Sequence, residues 1–339
     1  MVRAGLAAIL LLGLLAGPAV SDEVGDFYRG KQLTFIITGG VGGGYDSYGR
    51  TVARHLVHHL PGRPGVVTQN MPGADVIPAI YLYNVAPKNG LTIGLLLNTT
   101  PFEPFYGNDK ALFDATRFNW LGSPSKETGL LIVWHTVPVD TIEDARRRPL
   151  ILAATGASST PAFYARVLAA VLGIKIQLVE GYTGQNDAFI AMERGENEGF
   201  PSTFWSSLKS SRPSWIADKQ VKLLVQFGGA PNPEIAQVPF ANDLIASEED
   251  RQVMQAASAQ LALGRPMAAP PGVPPERLAA LRKAMEETFR DPDFLDDCAR
   301  QRLECHDPSS GPELARLVAE IYALPKRVQQ RLIEIYDLR

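Results

Sequence analysis

Short apolar runs alternate with segments of helical periodicity over the first hundred residues of the chain. Leu33 to Thr38 is an apolar, β-branched run that predicts a buried strand, and apolar residues then recur at helical spacing as far as Leu60. Further apolar runs begin at Val66 and Leu91, and a helical segment between them ends near Val85. This β-α-β-α-β order predicts a parallel sheet in an α/β fold, with ligands at the carboxyl ends of the strands.

The loop after the first predicted strand has the composition of an anion-binding loop. Five glycines lie between Gly39 and Gly44, and glycine lets the backbone approach a ligand closely. Asp46 is a favourable N-cap for the next helix, whose N-terminus presents N–H groups and a positive dipole to an anion. Arg50 is expected to pair with Asp46 or with a bound carboxylate. A loop that only connects strand to helix is the structural alternative. The predicted ligand contacts here are Gly43, Gly44, Tyr45, Asp46 and Ser47.

Spacing excludes two nucleotide-binding motifs at this loop. A Walker loop requires Gly-Lys-Ser/Thr, and none of these glycines precedes a lysine. The dinucleotide motif G-x-G-x-x-G fails because its last position falls on Tyr45 when counted from Gly40, and on Ser47 when counted from Gly42.

A second segment of the chain repeats the strand, loop and helix design. Ile151 to Ala154 predicts a buried strand, and the polar loop after it ends in Thr160 and Pro161, which suit an N-cap and a first helical position. The helix should run to Leu172, and a well-capped structural helix is the alternative to a ligand loop. A further strand follows, and then a polar turn that opens a helix ending near Arg194 and Gly195. Val221 to Phe227 predicts a strand that returns the chain to the first domain. Two C-terminal helices, Glu276 to Arg290 and Pro312 to Tyr322, are expected to pack on that domain.

The N-terminus and the composition predict an exported, soluble protein. Arg3 precedes an apolar run from Ala4 to Ala16 that is too short to span a membrane, so residues 1–21 are predicted to be a signal peptide. The remainder suffices for two domains. A formal net charge of −3 without a basic run argues against nucleic acid or an anionic membrane as partner.

Neither metal binding nor hydrolysis has a convincing residue pattern. His55, His58 and His59 fall largely opposite the apolar face of their helix, which favours a solvated face over a metal site. No G-x-S-x-G motif occurs. Cys298 and Cys305 would lie about 10 Å apart on one helix, too far for a disulfide, but a helix ending between them would permit one.

Three segments of the chain resemble signatures of a known family. Gly42–Arg50, Asn70–Ala74 and Ala86–Thr92 resemble the motifs GG-x-T-D-x-x-A-R, N-R-P-G-A-G-G and P-D-G-Y-T. These motifs belong to the periplasmic substrate-binding proteins of the tripartite tricarboxylate transporters, the Bug family. The resemblance covers most of the mature chain, and its departures include Tyr45 in place of Thr and Asp75 in place of Gly.

The resemblance also assigns ligand contacts to the second half of the chain. The loop Thr155 to Ser159 resembles the family's G-S-x-G-x-G-S loop, although Ser158 replaces a glycine. Tyr182 and Gly184 match a Y-K-G element. The predicted contacts in this half are Thr155, Gly156, Ser158, Ser159, Thr160, Tyr182, Asn186 and Asp187.

The family implies a two-domain α/β fold of the type II periplasmic binding protein kind. Each domain would contain a mixed, mainly parallel sheet flanked by helices, with residues 22–126 and 227–339 in domain 1, residues 127–226 in domain 2 and a ligand cleft between them. It further implies a periplasmic monomer that uses no cofactor and is not an enzyme. Such a protein captures a small carboxylate and delivers it to a transporter with a large and a small integral membrane subunit.

The ligand is predicted from the two helix N-termini near Asp46 and Thr160. If they face each other across the cleft, they favour a dicarboxylate or a carboxylated aromatic compound. Tyr45 is expected to discriminate among such ligands. The alternative from another class of function is an exported enzyme acting on a small carboxylated substrate, with Asp46 as general base.

Overall fold

The computed structural model describes residues 23–71, 76–157 and 159–336. The predicted signal peptide, Asp75 and Ser158 lie outside the described residues. Within these ranges the strands are β1 (Gln32–Thr38), β2 (Gly65–Met71), β3 (Thr92–Leu95), β4 (Asn119–Ser123), β5 (Gly129–Trp134), β6 (Leu150–Ala153), β7 (Ile176–Val179), β8 (Gly199–Phe204), β9 (Val221–Phe227), β10 (Met267–Ala269) and β11 (Ser309–Ser310).

The α-helices of the described ranges are α1 (Glu23–Tyr28), α2 (Gly44–His59), α3 (Ile77–Ile80), α4 (Ile142–Arg147), α5 (Thr160–Leu172), α6 (Gln185–Glu193), α7 (Trp205–Ser211), α8 (Pro213–Ala217), α9 (Glu248–Ala259), α10 (Pro275–Arg290), α11 (Pro292–Arg300), α12 (Gly311–Tyr322) and α13 (Lys326–Tyr336). A π-helical segment, Tyr81–Val85, continues α3. Short 3-10 helices cover Thr100–Phe102, Ala115–Arg117, Pro233–Ile235, Ala241–Leu244 and Gln260–Leu263.

The strands form two mixed sheets. The first has the order β11-β4-β10-β3-β1-β2, and the second has the order β7-β6-β8-β5-β9. Strand β1 is parallel to β2 and β3, and β6 is parallel to β7 and β8, but the other pairs in both sheets are antiparallel. The prediction of two mixed sheets flanked by helices is therefore confirmed, with more antiparallel pairing than expected. We call the first sheet and the helices packed on it lobe 1, and the second sheet with its helices lobe 2.

The core of lobe 1 follows directly from the alternation in β1. Leu33, Phe35 and Ile37 are buried on one face of the strand and share a cluster with Val52 and Leu56 of α2. Residues two apart in a strand point to the same face, and residues four apart in a helix lie on one side. Burial of each such side chain contributes about 1.5–3 kcal/mol to folding. This packing fixes where α2 begins relative to the end of β1.

The C-terminal helices do not all pack on lobe 1. Helix α10 contacts α2 and β4, and α12 contacts β4, as predicted, but α13 contacts α5 and α9. Tyr336 of α13 stacks on Tyr106 with ring centroids 4.9 Å apart, and Tyr106 stacks on Phe163 of α5 at 5.3 Å. Helix α13 thus packs on lobe 2, because its apolar face contacts an aromatic surface there. The local sequence pattern does not predict this contact.

The position of helix α11 permits a disulfide between Cys298 and Cys305, and it places contacts on two histidines that were predicted to be solvated. It ends at Arg300, so Cys298 and Cys305 come within 6.4 Å between their Cα atoms and form a disulfide. His55 and His59 are half-buried and bond Asp297 at 3.1 Å and Asp291 at 2.8 Å. The prediction of a largely solvated histidine face was wrong for these two side chains, because α11 and the residue before it cover them.

In the ranges that the structure describes, no helix has the length and apolarity needed to cross a membrane.

Candidate functional site

A cavity of about 80 Å³ lies between the lobes, at the carboxyl ends of β1, β3 and β6. Its lining from lobe 1 is Thr38, Gly39, Gly40, Gly43, Gly44, Tyr45 and Leu97. Its lining from lobe 2 is Thr155, Thr160, Pro161, Thr183, Gly184, Gln185, Phe200, Ser202, Phe204 and Ser207. None of these lining residues carries a formal charge.

Five of the residues predicted from the sequence meet in this cavity: Gly43, Gly44, Tyr45, Thr155 and Thr160. Seven others lie outside its lining, namely Asp46, Ser47, Gly156, Ser159, Tyr182, Asn186 and Asp187. Ser158 lies outside the described residues.

Asp46 holds the glycine loop together from inside the protein. Its carboxylate accepts hydrogen bonds from the Gly42 N–H at 3.0 Å, from Arg50 Nε at 2.8 Å and from Asn70 Nδ2 at 2.9 Å. The predicted pairing with Arg50 is confirmed, but the predicted capping role is wrong. Helix α2 already begins at Gly44, and its N-cap residue is Gly43. Asp46 therefore shapes the loop and does not face the cavity.

The second loop uses Ser159 as its cap, and Thr160 is the first residue of the helix. Ser159 Oγ accepts from the Ala162 N–H and donates to the Gly156 carbonyl at 2.6 Å, so the prediction of Thr160 as the N-cap was wrong. The Thr160 hydroxyl donates to Asn98 Oδ1 at 3.0 Å. Thr160 thereby joins lobe 2 to lobe 1 at the edge of the cavity.

The remaining predicted side chains have other contacts. Ser47 donates to the Gly43 carbonyl at 3.3 Å. Asn186 accepts from Arg212 Nη2 at 2.6 Å, Tyr182 packs against a hydrophobic cluster of lobe 2, and Asp187 is exposed. The cavity wall beside them is formed by neighbouring residues of the same loops, among them Gly44, Thr183, Gly184 and Gln185.

Three long helices begin at the cavity, where the sequence predicted two. Helices α2, α5 and α6 start at Gly44, Thr160 and Gln185, and all three residues line the cavity. The N-cap residues of α2 and α6, Gly43 and Gly184, make no side-chain capping bond. The polar turn before α6 was predicted to open a helix, but this helix start was not counted among the anion-binding ends. A helix N-terminus without a side-chain cap directs N–H groups and partial positive charge at a bound anion.

Strand β8 supplies an apolar wall that sequence reasoning missed. Phe200, Ser202 and Phe204 line the cavity from alternate positions of the strand, and this period of two was a readable signal. The Ser202 hydroxyl is buried and has no hydrogen-bond partner among the described residues. A buried polar group of this kind is costly unless a ligand or water satisfies it.

A buried ion pair lies directly behind the cavity wall. Arg265 is fully buried, and its Nε lies 3.0 Å from Glu127 Oε1, although the geometry falls short of a hydrogen bond. Its guanidinium carbon lies 4.7 Å from the ring centroid of Tyr45 and 5.1 Å from that of Phe204. Burial is the largest single influence on Arg265 and would lower its pKa, but the Glu127 carboxylate together with Tyr48 and Tyr45 outweighs burial, and the pKa is raised. Arg265 therefore stays charged. The ion pair was not predicted from the sequence, since Glu127 is distant from Arg265 in the chain.

Solved structures of periplasmic binding proteins are similar to this chain. BugD superposes with a TM-score of 0.71 at 17% identity, over 91% of this chain and 97% of that chain. MatC from Rhodopseudomonas palustris, solved with bound malate, gives a TM-score of 0.70 at 17% identity, over 91% and 99%. The R. palustris protein Rpa4515, solved with adipate, gives a TM-score of 0.69 at 18% identity, over 89% and 97%. No family model and no curated protein matches the sequence.

These similarities establish the fold of the chain. It has the two-domain architecture of the Bug-type periplasmic binding proteins, as the resemblance in its motifs implied. At these identities the comparison establishes the fold alone, so the function is argued from the geometry of the cavity.

Proposed function

We propose that this protein is an exported solute-binding protein of the Bug type that captures a small carboxylate between its lobes. The observation that carries the proposal is the cavity itself, where α2 and α6 begin without side-chain caps and where no lining residue is charged. Backbone N–H groups at helix N-termini bind anions without a cationic side chain, and each helix contributes about 0.3–2 kcal/mol per negative charge.

The two uncapped helix starts lie close together across the cleft. A Cβ atom built on Gly184 would lie 3.4 Å from the Gly40 nitrogen, and one built on Gly40 would lie 3.3 Å from the Thr183 carbonyl oxygen. The loops that precede α2 and α6 are therefore in contact. We place one carboxylate of the ligand beside them, at the positive ends of both helices.

The rest of the cavity suits a hydrocarbon body. Leu97, Pro161, Phe200 and Phe204 are apolar, and Ser202 offers one hydroxyl without a partner. Small-molecule sites commonly combine apolar walls with a few placed polar groups. This combination supports an aliphatic or aromatic carboxylic acid, including di- and tricarboxylates that extend towards Ser202.

The enzyme alternative receives no support from the site. Asp46, the only general base considered from the sequence, does not line the cavity and already accepts three hydrogen bonds. A general base must reach the proton that it abstracts. The cavity lining includes no carboxylate, imidazole, thiol or amine.

The proposal extends to localisation and partners. We infer a periplasmic monomer whose two domains, residues 22–126 with 227–339 and residues 127–226, close on the ligand and present it to a tripartite tricarboxylate-type transporter. Domain closure around a ligand is the usual movement of periplasmic binding proteins.

Calorimetry on refolded, ligand-free protein tests the proposal. Malate, adipate and benzoate serve as carboxylate probes, and their neutral amides serve as matched controls. We expect at least one carboxylate to bind, with its amide weaker by roughly tenfold or more, which is about 1.4 kcal/mol. X-ray scattering should show contraction with the same carboxylate. Binding only to sugars or cations, or turnover of the probe, would contradict the proposal.

A further inference from the structure

Ser207 is a buried hydroxyl whose proton is available to a ligand. It lines the cavity, and only 2% of its surface is exposed. Its oxygen accepts a hydrogen bond from Arg265 Nη2 at 2.7 Å, but its own proton has no acceptor among the described residues. A hydroxyl that already accepts from a cation is polarised and donates more readily to a second partner.

This hydroxyl lies beside the start of α2. A Cβ atom added to Gly44 would lie 2.2 Å from Ser207 Oγ and 3.1 Å from Arg265 Nη2. The missing side chain at Gly44 is what lets the helix N-terminus approach the hydroxyl so closely. An anion at the start of α2 is therefore within reach of Ser207 as well.

The ion pair behind Ser207 has its positive end towards the cavity. Arg265 contacts three lining residues, Ser207, Tyr45 and Phe204. Glu127 lies beside Arg265 Nε and accepts hydrogen bonds from hydroxyls outside the cavity lining: Ser125 Oγ at 3.2 Å and Ser206 Oγ at 2.6 Å. Arg265 Nη2 also donates to Ser206 Oγ, at the longer distance of 3.4 Å. The pair is neutral overall, but Ser207 bonds only the guanidinium, whereas Ser206 also bonds the carboxylate, so the potential is more positive at Ser207.

We propose that Arg265 is a positioning residue that turns Ser207 into the side-chain donor for the ligand's anionic group at the start of α2. The inference rests on the proposed function and makes it more specific, because it assigns one end of the ligand to a defined pair of residues. Arg265 does not touch the ligand in this arrangement. It fixes the Ser207 oxygen, so that the hydroxyl proton points into the cavity, and it raises the electrostatic potential there.

Two neighbouring thiol substitutions test the electrostatic part without any ligand. Ser207→Cys places a thiol against Arg265 alone. Ser206→Cys places one against Glu127, whose carboxylate disfavours a thiolate, with Arg265 Nη2 farther away at 3.4 Å. Both positions are buried, so desolvation affects them similarly, and the native cysteines form a disulfide and do not titrate. Thiolate absorbance at 240 nm against pH gives each midpoint. We expect the thiol at position 207 to titrate at a pH about one unit or more below the thiol at position 206.

Alkylation rates then test access from the cavity. Iodoacetate and iodoacetamide have similar size, but only iodoacetate is an anion. With Ser207→Cys we expect iodoacetate to react several-fold faster, relative to iodoacetamide, than it does with a free cysteine peptide. Equal relative rates, or no reaction with either reagent, would overturn the proposal, because the site would then be neutral or closed to ligands.

Substitutions at Arg265 test whether its charge, and not only its packing, lowers the titration midpoint of the thiol at position 207. In the Ser207→Cys protein, Arg265→Lys keeps the charge and should keep the low thiol midpoint, whereas Arg265→Met should raise it by about one pH unit or more. Circular dichroism shows which variants fold, and Arg265→Lys alone suffices if Arg265→Met does not. A midpoint at position 207 equal to that at position 206 would refute the role of Arg265. Failure of every carboxylate in calorimetry would instead contradict the proposed function while leaving the thiol result intact.

Discussion

The loops that begin α2 and α5 share a strand, loop and helix design but provide different chemistry. Each follows a parallel strand, and each places the first two residues of its helix in the cavity wall, Gly44 and Tyr45 in one case and Thr160 and Pro161 in the other. In α2 the N-cap residue makes no side-chain bond. In α5 Ser159 takes the N–H of Ala162, and proline has no N–H at the second position.

The two helix starts therefore differ in their capacity for an anion. At α5 only the first of the three initial positions keeps an N–H that is neither missing nor capped. Helix α6 begins like α2, with a glycine as its uncapped N-cap residue. Two loops of the same strand, loop and helix design do not imply a matched pair of carboxylate sites. In place of two anionic ends facing α2 and α5, we propose one anionic end between α2 and α6.

Of the substitutions that distinguish the two loops, Asp46→Asn should cause the largest loss of stability. One carboxylate oxygen would become an amide NH₂ that faces either the Gly42 N–H or the donors of Arg50 and Asn70. Loss of charge-assisted hydrogen bonds at a buried group should lower the free energy of unfolding by about 2–4 kcal/mol. Urea denaturation measures this loss.

The exposed Asp187 of α6 provides the control for that substitution. Asp187→Asn should change the free energy of unfolding by less than about 0.5 kcal/mol, as is usual for surface positions. A loss at Asp46 as small as the loss at Asp187 would show that the glycine loop keeps its shape without the carboxylate.

Ser159→Ala should have a smaller effect, because it removes a cap and leaves no buried charge. The substitution loses the bonds to the Ala162 N–H and the Gly156 carbonyl, and N-cap losses of this kind cost about 0.5–2 kcal/mol. Ser159→Thr is the matched control, since threonine also caps helices and keeps a hydroxyl that can donate to the Gly156 carbonyl, and it should recover most of the stability. If Ser159→Ala instead weakened carboxylate binding while unfolding at the same urea concentration, α5 would be part of the anion site.

The sequence predicted those parts of the site that depend on neighbouring residues. Strand β1, the glycine loop and the helix after it followed from local pattern. The disulfide was left open, because it depends on the end of α11 at Arg300, which local pattern did not predict. The start of α2 was misplaced because Asp46 is held by Asn70 of another strand, a contact that outweighs its local preference for capping. The pair of Arg265 and Glu127 was missed because it joins two segments that no periodicity relates.

Tyr45→Thr should have the smallest effect of these substitutions, because it alters the second helical residue of α2, where the two loops present different side chains to the cavity. The Tyr45 ring lines the wall between Arg265 and the cleft, and its hydroxyl accepts from the Asn98 N–H at 3.2 Å. An aromatic contact adds about 0.5–1.5 kcal/mol beyond its buried area, so the affinity for benzoate relative to adipate should fall roughly two- to tenfold. Pro161→Ala is the matched change on α5, and it should leave this ratio nearly unchanged because it removes no aromatic surface. Calorimetry or thermal shift with both acids gives the ratio for each variant. An identical ratio in wild type and Tyr45→Thr would mean that the ring supports Arg265 without touching the ligand, and selectivity would then have to come from Phe200 and Phe204 on β8.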